Sequence, residues 1–451
     1  MRRITLSAIY ILLSACCIIS QNHNIVKLSL QECLNTAINK NAAIRTAILD
    51  QQKSQYKIEQ TKSALFPQVN VNGNFSDNLQ LPVTVIPGDF LGKPGSNYAI
   101  KMGSTYSASA SLTIKQELYN QTKFTAIKLA KKDEALQYMQ VQKSKENLTY
   151  DLSKLYFLSL ITDKQKSLDE ENIARTQRLK EITQTLVTNG LKKTVDYDRV
   201  CVNLENLRTD LSNTEATLDQ QQNMIKYMLQ LPLDTKLILT DSIEMPFFLS
   251  TPAVIDNLND QTDIKILEMQ KERNLLNQKK INRGYLPTLS FTGQYEYQGL
   301  RQSFGNYFKS SDENRWYPSS YVGVSLSIPI FDGMDKRSQA RQAKAEYQQS
   351  VIKFEDTKQK YSVDYKNAVN NFLNQQENVK RQKGNVLLAE KVYQEATLQY
   401  KQGEIALSAL LQDDMDMNNA QVSYLKALYD LKVATLDMIT INGEIKNLTN
   451  K

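Results

Sequence analysis

The sequence predicts an α+β fold in which long antiparallel helices alternate with pairs of short β-strands, and this arrangement occurs twice. Residues Gln121–Thr188 contain no glycine or proline, and Met334–Gln402 contains only Gly384. Eighteen of the 25 glycines and prolines lie in two windows, residues 67–103 and 284–333. Two segments of alternating apolar and polar residues accompany each window. The chain therefore combines a doubled helical part with a doubled β part.

Helices are predicted wherever the chain lacks glycine and proline, because each costs about 1 kcal/mol or more in a helix interior. At about 1.5 Å per residue, Gln121–Thr188 would be roughly 100 Å long. Leu148, Leu152 and Leu155 have the alternating spacing of a heptad seam, so the helices pack along a narrow apolar stripe. The predicted helices are Leu28–Leu65, Gln121–Thr188, Lys193–Leu231, Val254–Arg283, Met334–Gln402 and Ile405–Ile441.

Four strands are predicted from apolar residues that alternate with small or polar ones. They cover Val69–Phe75, Tyr106–Ile114, Leu289–Tyr297 and Val322–Ile328. In an exported protein this alternation is typical of a transmembrane β-barrel, with lipid outside and water inside. Four strands cannot close a barrel, and lipid does not tolerate open strand edges, so closure requires further copies of the chain. The spacing alone does not choose between a dimer and a trimer.

The N-terminus has the layout of a secretory signal. Arg2 and Arg3 precede an apolar run that ends at Ile19, which is short for a membrane span of about 20 residues. Residues 1–20 are therefore predicted to be a signal peptide, with cleavage after Ser20. Leu13-Ser14-Ala15-Cys16 also resembles a lipoprotein box, so lipidation of Cys16 is the competing route.

Composition argues against several classes of function. The only histidine, His23, lies beside the predicted cleavage site, and Cys33 and Cys201 lack the close spacing of a zinc or redox motif. The chain has no glycine-rich phosphate loop. Its formal charge of +7 is mild and evenly spread. We therefore predict no enzyme activity, no catalytic residue, no cofactor, no metal and no nucleic-acid partner.

The two halves match landmark by landmark. Pro67 corresponds to Pro287 at an offset of 220, and Gly190 corresponds to Gly403 at an offset of 213. The first predicted structural repeat covers 21–231, with a strand pair at 67–116 and a helical hairpin tip at 190. A connector covers 232–253. The second repeat covers 254–451, with a strand pair at 286–331 and a helical hairpin tip at 403.

In their order, duplication and spacing, these features resemble the TolC-type outer membrane efflux proteins, over essentially all of the sequence after residue 20. The matching segments are Leu28–Ile38, the Leu286-Pro287 turn, Ser325–Gly333 and the two tip glycines. The loop Leu81–Gly88 looks like the version found in the Bacteroidetes branch.

The resemblance implies a homotrimer whose strands form a twelve-stranded barrel in the outer membrane of a Gram-negative bacterium. The helices would form an α-helical barrel in the periplasm. The expected function is the passive exit duct of a tripartite efflux system, gated at its periplasmic end. The implied partners are outer membrane lipid, a periplasmic adaptor (membrane fusion) protein that opens the gate, and an inner membrane RND or ABC transporter.

The resemblance also assigns roles to four residues. The hairpin tips at Gly190 and Gly403 would dock onto the adaptor, although helix reversal by itself explains a glycine at each tip. Asp196 matches an acid of the family's gate, and Tyr400 matches the gate tyrosine.

The chain departs from the family pattern near the second tip. The family's gate arginine falls on Ile405, and the acids that ring the narrowest point fall on Ala409 and Gln412. Asp413 lies beside Gln412 and is a possible replacement, as are Asp414 and Asp416, all at shifted helical angles. The candidate gate residues are therefore Asp196, Tyr400, Gln412 and Asp413.

Two other functions remain open at this point. The exit duct of a type I protein secretion system would have the same architecture, because the cargo is chosen mainly by the inner membrane pump. A secreted structural coiled-coil protein that forms fibres would account for the helices, but it does not explain the alternating strands.

Overall fold

The structure, a computed structural model, describes residues 25–87, 89, 92, 94–243 and 261–449. The predicted signal peptide, Cys16 and His23 lie outside these residues, as does the predicted connector beyond Ile243. The helices are α1 (Leu30–Lys40), α2 (Ala42–Ser63), α3 (Gln121–Thr188), α4 (Thr194–Leu229), α5 (Thr262–Asn282), α6 (Asp335–Gln402) and α7 (Leu407–Ile441). The strands are β1 (Ile25–Leu28), β2 (Gln68–Asp77), β3 (Val83–Pro87), β4 (Asn97–Lys101), β5 (Tyr106–Tyr119), β6 (Lys236–Leu239), β7 (Thr288–Arg301) and β8 (Trp316–Ser327).

The described residues form two compact units, and each unit draws on both halves of the sequence. The first takes its residues from the ranges 1–49, 138–266 and 355–451, and the second from 50–137 and 267–354. The predicted division at 231 and 254 concerns sequence repeats, and these repeats are not the compact units. That division stays a prediction.

The long helices form where glycine and proline are absent. Helix α3 has the predicted bounds, and α6 begins one residue later than predicted. The prediction of one continuous helix over Leu28–Leu65 is wrong, because Leu28 is in β1 and the helix is interrupted at Asn41. Asn41 adopts a non-helical ψ of 132°, and its side chain accepts from the Ala43 amide at 2.9 Å. No helix among the described residues offers a stretch both long and apolar enough to span a bilayer.

The second unit contains a four-stranded antiparallel sheet in the order β2-β5-β7-β8. All four predicted strands are present, and two of them, β2 and β7, are longer than predicted at both ends. The central pair joins the two halves of the sequence, with Leu112 opposite Tyr295. The edge strands are β2 and β8, where the apolar residues Val71 and Val322 are 75% and 77% exposed. The sheet therefore has two free edges and an uncovered apolar face within one chain.

Two short strand pairs were not predicted. Strand β1 pairs in parallel with β6, which lies inside the predicted connector, and β3 pairs with β4 in the loop between β2 and β5. Runs of four or five residues give only a weak periodicity signal. The predicted connector therefore contains a strand over residues 236–239.

The core of the first unit is formed by α1, α3, α4 and α7. Its buried side chains include Leu34, Leu152, Tyr156, Ile225 and Leu436. The Tyr156 hydroxyl donates to Asp241 Oδ2 at 2.8 Å, and the same oxygen accepts from the Leu30 amide at 2.8 Å. Burial raises the pKa of the Cys33 thiol to about 12, so this cysteine is a packing residue rather than a nucleophile.

Helix α4 ends at Gln230, which has a left-handed backbone with φ of 55°. An L side chain pays roughly 1–2 kcal/mol for this conformation. We expect Gln230→Gly to stabilise the protein by up to about 1 kcal/mol, less what the exposed Gln230 Nε2 bond to the Tyr227 carbonyl contributes. The measurement is the guanidinium unfolding midpoint followed by circular dichroism.

The matched control is Gln220→Gly, at an exposed position inside α4, which should destabilise by about 1 kcal/mol. Equal destabilisation by the two glycines would contradict the backbone explanation.

Candidate functional site at the ends of the helical hairpins

Both long hairpins reverse through the same type of turn. Helices α3 and α4 meet at Gly190 with φ of +75°, and α6 and α7 meet at Gly403 with φ of +81°. In each turn the glycine amide bonds to the carbonyl three residues earlier, and the next amide bonds to the carbonyl five residues earlier, at 2.9–3.0 Å. This is a Schellman motif, in which glycine avoids the cost of a left-handed backbone. Turn geometry therefore accounts for both glycines.

All four helices of the two hairpins contribute buried side chains next to these turns. The buried apolar cluster consists of Leu179 from α3, Val200 from α4, Tyr393, Ala396 and Tyr400 from α6, and Leu407, Leu410 and Met417 from α7. The ends of the two hairpins thus pack against each other within the first unit.

Tyr400 is the largest buried residue in this cluster, with no exposed surface. Its hydroxyl lies 3.2 Å from Thr183 Oγ1, which is also fully buried. The Lys192 ammonium lies 5.0 Å from the centre of the Tyr400 ring and donates to the Ile405 carbonyl at 3.4 Å. We call Thr183, Lys192 and Tyr400 the Tyr400 cluster. It connects the first hairpin to the second.

Asp196 is half-buried in the first turn of α4. Burial raises the pKa of Tyr400, and the charge of Asp196 adds to this rise. The Tyr400 hydroxyl pairs with Thr183, however, and Thr183 was not identified from the sequence.

A second polar group lies about two turns further from the hairpin ends. Arg175 Nε donates to Asp414 Oδ1 at 3.0 Å, and Arg175 Nη2 donates to the amide oxygens of Asn172 and Asn418. The guanidinium also lies 5.0 Å from the centre of the Tyr393 ring. We call these five residues the Arg175 cluster. It links α3, α6 and α7.

Asp414 is 3% exposed, so its charge is held in a poorly solvated place. Burial raises the pKa of the Asp414 carboxyl, and the Arg175 guanidinium opposes that rise. A buried carboxylate of this kind depends on its partner, because an unpaired charge would be strongly destabilising.

The neighbouring candidates lie differently. Gln412 is exposed and donates to Asp416 Oδ1 at 3.0 Å, and Asp413 is half-buried. Successive residues of a helix point about 100° apart, which is why Asp414 faces inward while its neighbours do not. The sequence offered Asp414 as a possible replacement for the family's acids but not as one of the four candidate gate residues, and Arg175 was missed.

One signal could have found this cluster. The buried residues of α3 continue the heptad spacing towards the hairpin end, but most of them are polar. They are Asp169, Asn172, Thr176, Leu179 and Thr183, spaced three, four, three and four. A search for apolar residues alone passes over such a seam, whereas a search for any residue at the seam positions would have included Asn172, and Arg175 lies about one helical turn after it.

Comparison with known proteins gives a consistent result. The family model for the outer membrane efflux protein matches residues 33–229 and 270–444. The outer membrane protein TolC of Escherichia coli (strain K12) is 21% identical over 446 residues, covering 95% of this chain and 83% of that protein. The CmeC outer membrane channel of Campylobacter jejuni has a TM-score of 0.76 at 13% identity, covering 92% of this chain and 85% of that one. The outer membrane protein VceC of Vibrio cholerae has a TM-score of 0.73 at 14% identity, covering 92% and 96%.

The Arg175–Asp414 pair should contribute to stability as a unit. Arg175→Met and Asp414→Leu should each destabilise by on the order of 3 kcal/mol, because each leaves a largely buried group unpaired. The double variant should cost clearly less than the sum. Guanidinium titrations of the four proteins, followed by circular dichroism, give the coupling free energy.

Arg381→Met is the matched control, since Arg381 pairs with Glu377 at 3.4 Å on the exposed surface of α6. It should cost less than about 1 kcal/mol. Additive effects at Arg175 and Asp414 would show that the pair is not coupled.

Proposed function

Because the chain belongs to the outer membrane efflux protein family, we propose that it forms the trimeric exit duct of a tripartite efflux system in the outer membrane. The observation that carries the proposal is the four-stranded sheet with two free edges and an exposed apolar face, each of whose strand pairs is followed along the chain by one long helical hairpin. Family members are conduits rather than enzymes. The exported substance would therefore pass without a chemical step.

The sheet supports the proposed trimer. Strand β8 is exposed along its whole length, and β2 is exposed at every residue except Ser76. In hydrocarbon, unpaired backbone groups cost several kcal/mol each, so free edges must pair with other strands. Pairing of β8 with β2 of the next copy would close twelve strands from three chains. The apolar faces would then contact lipid.

The helical hairpins support the proposed gate. The Tyr400 cluster and the Arg175 cluster join the two hairpins at successive levels, and we assign both to the closed arrangement. Opening would separate Thr183 from Tyr400 and Lys192 from the Ile405 carbonyl, which lie 3.2 and 3.4 Å apart. Gln412 and Asp413 are proposed to lie nearer the solvent of the channel, since neither is buried.

The proposed partners follow from the family and from the position of the turns. The hairpin ends at Gly190 and Gly403 are exposed and would dock onto a periplasmic adaptor. An inner membrane RND or ABC transporter would supply the cargo. A type I secretion system would use the same duct, so the cargo distinguishes the two functions. The sheet argues against a secreted coiled-coil fibre.

The trimer is tested by extraction from isolated outer membranes. The chain has a mass of 51.5 kDa, and unheated samples should migrate in detergent gels at about three times the mass of heated ones. Recovery of the chain only as a monomer, or only in the soluble periplasmic fraction, would contradict the proposed barrel.

The gate is tested by the resting conductance of the trimer in planar bilayers. Tyr400→Phe removes the hydroxyl but keeps the buried ring, and the loss of about 1 kcal/mol should raise the open fraction about fivefold. Asp196→Ala should raise the resting conductance as well, because Asp196 matches an acid of the family's gate.

Asp198→Ala is the matched control, since Asp198 is an exposed aspartate two residues after Asp196 on the same helix. It should leave the conductance unchanged. An unchanged closed conductance in Asp196→Ala would remove Asp196 from the gate.

A further inference from the structure

The first unit contains a cavity of about 460 Å³ that is separate from the hairpin ends. Its walls come from α1, α3, the start of α5 and the C-terminal turn Ile445–Thr449. Ligand pockets in proteins are typically about 300–1,000 Å³, and a water molecule occupies about 30 Å³. The cavity is therefore large enough for a monosaccharide-sized molecule and too large to be filled by a single small ion.

The cavity is positively charged. Lys145, Lys265 and Lys446 line it, against a single carboxylate from Glu146, which already accepts a hydrogen bond from Thr262 Oγ1. Lys265 and Lys446 have interactions within the chain. Since an ammonium has three N–H donors, such a lysine still has donors for a ligand.

The uncharged side chains that line the cavity are suited to the neutral, polar part of a ligand. Gln142 supplies a side-chain amide, α1 supplies two more, and Tyr138 supplies a half-exposed aromatic ring. Amides bond to hydroxyl and acetamido groups. The flat ring offers an apolar surface that a sugar ring can cover. Cationic groups and amides around one small cavity therefore fit a ligand that carries both an anionic group and several hydroxyl groups.

The charge is local to this cavity. A second cavity of the same unit, of about 820 Å³, is lined by Glu146, Asp151, Asp364 and Asp437 with Lys143 as its lysine. An anion is attracted to the first cavity and repelled from the second. Two cavities beside the same helix α3 thus differ in the sign of the charge that lines them.

We propose that the cavity bounded by Lys145, Lys265 and Lys446 binds an acidic saccharide, through its carboxylate or phosphate. Lysines act as point charges and accept either anion, so the shared chemistry is an anionic group on a sugar-sized polar body. A carboxylated sugar would come from the cell wall, and a phosphorylated sugar from a lipid headgroup.

Isothermal titration calorimetry on the detergent-extracted full chain tests this. The probes are N-acetylmuramic acid, N-acetylglucosamine 6-phosphate and neutral N-acetylglucosamine. At least one acid should bind at least about tenfold more tightly than the neutral sugar, and added salt should weaken that binding. Binding of the first acid alone identifies the carboxylate source, and binding of the second alone identifies the phosphate source.

Lysine-to-glutamine variants test whether the ligand binds in this cavity. Lys145→Gln combined with Lys265→Gln should reduce the affinity at least about tenfold, as expected for lost charge-assisted hydrogen bonds. Lys154→Gln is the matched control, because Lys154 is exposed on the same helix and does not line the cavity. The unfolding midpoint of each variant verifies that it folds.

Three results would overturn the proposal: no binding of either acid, equal binding of the neutral sugar, or an equal loss in Lys154→Gln and the double variant. Binding is measured on the purified chain without transport. Loss of binding and loss of channel activity are therefore separate results.

Discussion

The backbone groups at the edges of the four-stranded sheet impose the main constraint on this protein. Every second residue of β2 and β8 directs its backbone hydrogen-bonding groups to the outer side, where no strand among the described residues pairs with them. In water this would be a modest liability, whereas in hydrocarbon it is prohibitive. The internal duplication reduces the problem, because β5 and β7 pair the two halves centrally and leave only two edges. Association of identical chains then removes both edges at once.

The helices show how the same chain can be both stable and able to rearrange. Around Tyr156 the seam between helices is apolar, and side chains such as Leu152 and Leu436 are completely buried. Nearer the hairpin ends the α3 seam contains buried polar residues, such as Asn172, Thr176 and Thr183, beside the apolar cluster, in positions that a plain coiled coil fills with leucine. Polar contacts can be exchanged for water, while buried apolar surface cannot be exposed without a large cost. Rearrangement is therefore easier near the hairpin ends than around Tyr156.

The sequence predicted the elements that depend on local properties. The bounds of α3 follow from the absence of glycine and proline, and the four main strands follow from alternation over seven or more residues. The turns at Gly190 and Gly403 follow from the preference of glycine for a left-handed backbone.

Features that depend on distant pairs could not be predicted. Strands β1 and β6 have four residues each and are stable only as a pair. Arg175 and Asp414 are separated by 239 residues, and only the packing of α3 against α7 shows that they meet. Whether Asp413 or Asp414 is buried depends on the rotation of α7 about its own axis. The sequence alone does not fix that rotation.

The departure at Ile405 illustrates how contacts between distant parts of the chain can compensate for a changed residue. The family resemblance places a positive charge at this position, and isoleucine cannot provide one. The structure brings the Lys192 ammonium from the other hairpin to the Ile405 carbonyl and to the face of the Tyr400 ring. A cation over an aromatic face is favourable, and the effect grows as water is excluded. The positive charge beside Ile405 is thus supplied by Lys192 of the first hairpin, and separating the hairpins would remove it.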